Sequence, residues 1–335
     1  MNRSTSGFLK CICILCLVSG FPPSLAAQHV RVEQVRIPGP EVTLAGSLYL
    51  PESCASNCPA MVFLGGGSAD TRKNQIPFAE RFARSGIISL IFDKRGAGES
   101  TGDYAARTYD NLADDAVLAL QYLAERAETD ASKTGIWGGS EGGSVALMTA
   151  ARTSDAAFVI NLAGPVQHFR EGFLYELNLS LQKAGINERQ RKELQALWMQ
   201  YFEDAGDGRI ESALLDKIRL WKDIVAANYI PSDTAAYPPE SNSHPRSFWH
   251  LHRLSIFKYL DMPVFMIFGE YDEPVPPEQN IPIVKSAFSV LGQSNYEIHV
   301  FPQASHAFVT PEGNIVPRFF ETQIDWVLRQ AGELK

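Results

Sequence analysis

The stretch GIWGGSEGG, residues 135–143, decides how this chain is read. Gly138, Ser140 and Gly142 fit the pattern G-x-S-x-G, in which a serine occupies a sharp turn between a strand and a helix. Both flanks meet that demand, because KTGIW before the turn is β-prone and SVALMTAARTS after it forms helix readily. The demand itself is steric: a strained backbone projects the hydroxyl beyond the strand end, and flanking glycines let neighbouring backbone pass close by. The turn also sets Ser140 at a helix N-terminus, where unpaired N–H groups and the helix dipole favour developing negative charge. Ser140 is therefore the candidate nucleophile.

A serine hydroxyl needs a base, and the base needs an orienting acid. When a G-x-S-x-G serine works on a parallel sheet, the acid and then the histidine follow it in loops at strand carboxyl ends. The apolar run PVFMIFG (263–269) is followed by EYDEPVP, and YEIHVFP (296–302) by QASHAF. Asp272 and His306 emerge where acid and base should stand. Glu270 and Glu273 are rivals for the acid; Asp272 is the shorter carboxylate at the usual offset. His299 lies inside its strand and reads as a surface residue, His168, His244, His250 and His252 precede the acid, and His29 lies beside the expected cleavage site described below. Acyl transfer also needs donors for an oxyanion. The N–H of Glu141 is one, and Gly66 or Gly67, in GGGSAD after AMVFLG, supplies the other.

Working outward, short β-rich runs alternate with helical stretches, the pattern of a mostly parallel sheet covered by helices. VTLAGSLYLP (42–51) pairs with 30–37 as a hairpin, and further strands are expected at 60–65, 87–92, 133–138, 157–164, 263–269 and 296–302. Most are continuously apolar, as strands covered on both faces must be; YEIHVF alternates and suits an edge. Leu112, Ala116, Leu120 and Leu123 form one stripe on a helix over 110–127, and helices also fit from Glu141, at 278–291 and at 315–330. From 168 to 246 no strand run appears. Its apolar stripes are Phe173, Leu177 and Leu181; Leu194, Leu197, Trp198, Tyr201 and Phe202; and Leu214, Ile218, Trp221 and Val225. This segment reads as a helical cap inserted between core segments 28–167 and 247–335, its aromatic residues serving packing.

The 335 residues carry a formal net charge of −8, with 45% hydrophobic and 20% charged residues. That suits a large core and argues against nucleic acid as a partner. Arg3 and Lys10 precede the apolar run CICILCLVSGF (11–21), and FPPSLAA leads to Gln28. Residues 1–27 thus read as a secretory signal cleaved near Ala26 or Ala27, too short to span a bilayer. A lipoprotein site at Cys16 lacks small residues before it, since Cys13, Ile14 and Leu15 precede. Removal of the signal takes Cys11, Cys13 and Cys16 with it and leaves Cys54 and Cys58, which an exporting route would join as a disulfide; a free pair is the alternative, and zinc would need more ligands. The mature protein is expected in the periplasm or outside the cell, with no membrane segment. In FDKRGAGES (92–100), Asp93 and Arg95 are expected to tie down the loop by charge-assisted hydrogen bonds. Neither GGGS nor GAGES has Walker or dinucleotide spacing.

At these residues the chain resembles the α/β-hydrolase superfamily. GGSEGG is similar to its nucleophile elbow, FGEYDEPVP to its acid loop, QASHAF to its histidine loop, and FDKRGAGES to its D-x-R-G-x-G-x-S stretch. With the cap, the whole looks most like an exported bacterial esterase branch related to prolyl-oligopeptidase-type and acyl-CoA thioesterase catalytic domains. The resemblance implies an eight-stranded sheet, a small-molecule ester as substrate and no cofactor or metal. Leu64 and Gly65 stand where the usual oxyanion-loop histidine begins, so Gly66 and Gly67 both stay open as donors. A peptidase or thioesterase using the same residues is the near alternative, and a non-catalytic binding protein the distant one.

Overall fold

Strand residues that alternate between two buried faces need helices on both sides. The computed structural model describes residues 29–67, 71–206 and 253–334 and shows that arrangement. In chain order the strands are β1 (Val30–Pro38), β2 (Thr43–Pro51), β3 (Cys58–Leu64), β4 (Ile88–Phe92), β5 (Thr129–Gly139), β6 (Val159–Leu162), β7 (Val264–Gly269) and β8 (Tyr296–Phe301). They form one eight-stranded sheet in the order β1-β2-β4-β3-β5-β6-β7-β8. β2 runs antiparallel to β1 and β4, and every other pairing is parallel. This is the α/β-hydrolase fold.

The described helices are α1 (Ile76–Arg84), α2 (Tyr109–Ala124), α3 (Glu141–Ala150), α4 (Phe169–Lys183), α5 (Glu188–Gly206), α6 (Pro277–Leu291) and α7 (Phe319–Gln330). Val62, Ile136, Met266 and Phe268 face one core with Leu112, Leu120, Val145 and Phe288 of α2, α3 and α6. Their strand neighbours Met61, Phe63, Trp137 and Phe265 face the other, with Phe82 of α1 and Trp326 of α7. The period-two alternation of the central strands thus feeds two separate cores. α2 begins where Thr108 Oγ1 accepts from the Asn111 N–H at 3.2 Å while Asn111 Oδ1 accepts from the Thr108 N–H at 2.8 Å. Those reciprocal bonds satisfy two backbone donors at the helix start.

Three local expectations shift. The helix expected from 315 begins at Phe319, because Ile315 bridges to Val309 and Arg318 adopts a left-handed φ of 59°. β5 begins at Thr129, four residues earlier, where Thr129 registers with Cys58. His299, expected at the surface, is half-buried there: its ring centroid lies 4.4 Å from that of Phe301, and burial lowers its pKa. α1 carries no expectation at all, since Pro77 and short apolar spacing masked it.

The first two stripes of 168–246 fall on α4 and α5. Leu177, Leu181, Leu194 and Trp198 are buried, and the Phe173 and Trp198 rings meet edge-on at 5.4 Å. The third stripe, Leu214 to Val225, lies outside the described residues, as do residues 1–28 and His244, His250 and His252. No described helix is long and apolar enough to cross a membrane. Cys54 and Cys58 lie at disulfide-bonding distance.

Candidate active site

Ser140 ends the turn after β5 with φ 55° and ψ −123°, a conformation that L residues rarely adopt. Its N–H donates to Leu162 O at 2.8 Å and its carbonyl accepts from Gly143 at 2.8 Å, so both neighbours hold the turn. Glycine is required beside it. A Cβ on Gly138 would overlap the Gly142 carbonyl, and one on Gly142 would stand 2.5 Å from Gly65 O and 2.6 Å from Leu64 O.

The loops after β7 and β8 are bonded to each other before they reach Ser140. Glu270 N donates to Phe301 O at 2.9 Å, and Tyr271 N donates to Ala304 O at 2.8 Å. Asp272, 2% exposed, accepts from the Val275 N–H at 2.8 Å. His306 Nδ1 lies 2.9 Å from both Asp272 oxygens, and its Nε2 lies 3.1 Å from Ser140 Oγ. A carboxylate only accepts, so Nδ1 carries the proton and Nε2 accepts from the serine hydroxyl. Burial disfavours the charged imidazole, but the hydrogen bond and negative charge of Asp272, with a further contribution from Glu176, outweigh it and raise the His306 pKa. The rival carboxylates are engaged elsewhere: Glu270 accepts from the Gln303 N–H at 2.7 Å, and Glu273 pairs with Lys183 of α4. His168 caps α4, its Nδ1 accepting from Arg170 N at 3.2 Å, and His29 is exposed.

Glu141 opens α3, so its N–H is among the four that a helix start leaves without an intrahelical partner. Facing it is the loop Gly65–Gly66–Gly67. The Gly66 carbonyl accepts from Lys94 Nζ, and the Gly67 carbonyl accepts from Tyr104 Oη at 2.7 Å and from Arg107 at 3.3 Å. Lys94 also pairs with Glu141 at 2.9 Å. Sequence reading passed over Lys94, Tyr104 and Arg107, although a lysine two residues past a buried strand is an available signal. The D-x-R-G stretch anchors two places: Asp93 accepts from Arg72 N at 2.7 Å and Glu99 N at 2.9 Å, while Arg95 forks onto Asp115 of α2 at 2.8 and 2.7 Å. Burial raises the Asp115 pKa against the opposing pull of Arg95. Among the described residues no cluster of His, Cys, Asp and Glu has metal-binding geometry.

Chemically, this is a hydroxyl held by an imidazole, held in turn by a carboxylate, beside backbone donors. A family model described as X-Pro dipeptidyl-peptidase (S15 family) matches residues 39–304. The quorum-quenching protein AidA of Acinetobacter baumannii is 32% identical over 117 residues, which are 34% of this chain and 38% of that protein. In two further curated relatives the match likewise spans only 41% and 44% of their length. A crystal structure of a hypothetical protein from Pseudomonas aeruginosa superposes with TM-score 0.61 at 21% identity, covering 92% of this chain and 96% of that one. A Pyrococcus furiosus esterase does so with TM-score 0.55 at 18% identity, covering 95% and 94%. By the family match across most of its length, on the sheet described above, this chain belongs to the S15 family of X-Pro dipeptidyl-peptidases and is a hydrolase of the α/β-hydrolase superfamily.

Proposed function

We propose that the protein is a serine hydrolase that cleaves small carboxylic esters through an acyl-enzyme. The observation that carries this is the 3.1 Å approach of His306 Nε2 to Ser140 Oγ, with Asp272 behind the ring at 2.9 Å. Ser140 Oγ bonds to the ester carbonyl carbon as its proton passes to His306 Nε2. The alcohol then leaves with that proton, and a water deprotonated by His306 releases the acid and restores Ser140. The N–H of Glu141 and one from the glycine loop receive the oxyanion. α4 and α5 act as part of a cap over the site, and the Lys183–Glu273 pair, which joins α4 to the acid loop, supports that. The composition of residues 1–27 and the paired Cys54 and Cys58 support export.

The family match favours a second reading, release of X-Pro dipeptides from peptides by the same Ser140. One experiment separates the possibilities. Intact mass after treatment with a fluorophosphonate should show one adduct on wild type and none on Ser140→Ala. Turnover of p-nitrophenyl esters with none of X-Pro p-nitroanilides would support the ester reading; the reverse would replace it with the peptidase. No adduct on folded wild type would refute both.

A further inference from the structure

We infer that Lys94 and Glu141 form a positioning pair that aims and polarises the Gly66–Gly67 peptide, making the Gly67 N–H the second oxyanion donor. The inference rests on the serine-hydrolase reading above. Two glycines compete for the donor role, and the carbonyl directions separate them. In a trans peptide the N–H points opposite the C=O, and no described peptide is cis. The Gly65 carbonyl faces α3, since a Cβ on Gly142 would stand 2.5 Å from it, so the Gly66 N–H is turned away from the elbow helix. The Gly66 carbonyl is instead held by Lys94 Nζ, which frees the opposite edge, the Gly67 N–H, for another acceptor. Gly67 is also the loop residue beside the elbow, for a Cβ there would lie 3.6 Å from Glu141 Oε2.

The two members of the pair act on the oxyanion with opposite sign. An ammonium on the carbonyl end of a peptide draws electron density from its N–H and strengthens that donor. The side chains of Lys94 and Glu141 are only 9% and 14% exposed, so the surrounding water screens them little. A carboxylate this near a developing oxyanion opposes it, and the adjacent ammonium cancels that field. The pair joins three chain segments at one point: the loops after β3 and β4, and the first turn of α3.

The test compares wild type, Lys94→Met and the double variant Lys94→Met/Glu141→Gln. On a p-nitrophenyl ester, Lys94→Met should lower kcat on the order of 10–100-fold with KM within about threefold, less than the loss of a whole oxyanion donor. Affinity for a trifluoromethyl ketone, whose serine adduct carries an oxyanion, should fall by the same factor. The double variant should recover part of that loss and turn over faster than Lys94→Met, because the opposing carboxylate has gone with the ammonium. A double variant no faster than Lys94→Met, or a Lys94→Met enzyme with wild-type kcat and ketone affinity, would overturn the inference. Melting temperatures report any fold loss; if Lys94→Met fails to fold, the neutral double variant is read against wild type, and unchanged kcat and ketone affinity there would overturn the inference. Fluorophosphonate labelling of Ser140 in wild type separates the two levels: no adduct sinks the serine reading and this inference together, whereas an adduct leaves the kinetic result to judge the pair alone.

Discussion

Replacing Ser140 by glycine should leave the protein more stable than replacing it by alanine, against the usual ranking of those residues. Ser140 holds φ 55° and ψ −123°, and its side chain makes no cap bond to α3. Either replacement therefore removes the same 3.1 Å contact with His306 and forfeits no capping bond. What differs is the backbone. Alanine must keep the sparsely populated conformation, which costs about 1–3 kcal/mol, whereas glycine adopts it freely. Against this, glycine gains about 0.4–1 kcal/mol of chain entropy when unfolded. Losing a half-buried methyl takes roughly a further 0.4 kcal/mol. The balance favours glycine by about 1 kcal/mol, a rise of roughly 1–3 °C in Tm for a domain of this size. Urea denaturation of the two variants side by side, read by tryptophan fluorescence, measures it. A glycine variant no more stable than the alanine variant would show that the turn at Ser140 is not strained, and the account of the elbow would fail.

The raised pKa of His306 predicts a kcat/KM profile that falls on the acid side with a midpoint above the ordinary histidine value of about 6.5, since only neutral imidazole accepts the serine proton. Asp272→Asn should move that midpoint down and reduce kcat by about 10⁴-fold, as read from a pH series of initial rates. The stability linkage has the opposite sign: the protonated His306–Asp272 pair stabilises the fold below about pH 6.5, and that contribution fades as pH rises through the raised folded pKa. A Tm series from pH 5 to 9, compared with Asp272→Asn, checks it. Trp137→Phe should destabilise by about 1–3 kcal/mol, because Trp137 Nε1 donates to the buried Gln323 Oε1 at 2.7 Å and its loss strands that acceptor; Gln323→Met in the same background should recover part of it in chemical denaturation.

Much of this was legible in the chain because the signals are local. The elbow announces itself through Gly138 and Gly142, each with a contact no Cβ could tolerate, and the buried strands through unbroken apolar runs. β8 alternates because it is an edge, and that pattern was visible in YEIHVF. What failed locally failed for local reasons. α1 is nine residues with Pro77 in its first turn, too short to show a stripe, and His299 looked exposed because strand alternation does not reveal which neighbours cover a half-buried face.

The sequence by itself determined the elbow, the chain order of Ser140, Asp272 and His306, and the loops that carry them, because each is written within a dozen residues as backbone sterics or hydrophobic period. It offered three carboxylates in one loop and preferred Asp272 on length and offset alone. Only the tertiary structure turned Asp272 onto His306 while engaging Glu270 with Gln303 and Glu273 with Lys183. Only the tertiary structure joined Lys94 to Glu141, 47 residues away, and set both against the glycine loop. Hydrogen bonds and ion pairs act over about 3 Å in space and carry no trace along the chain, so the partners appear when the sheet brings their strand ends together.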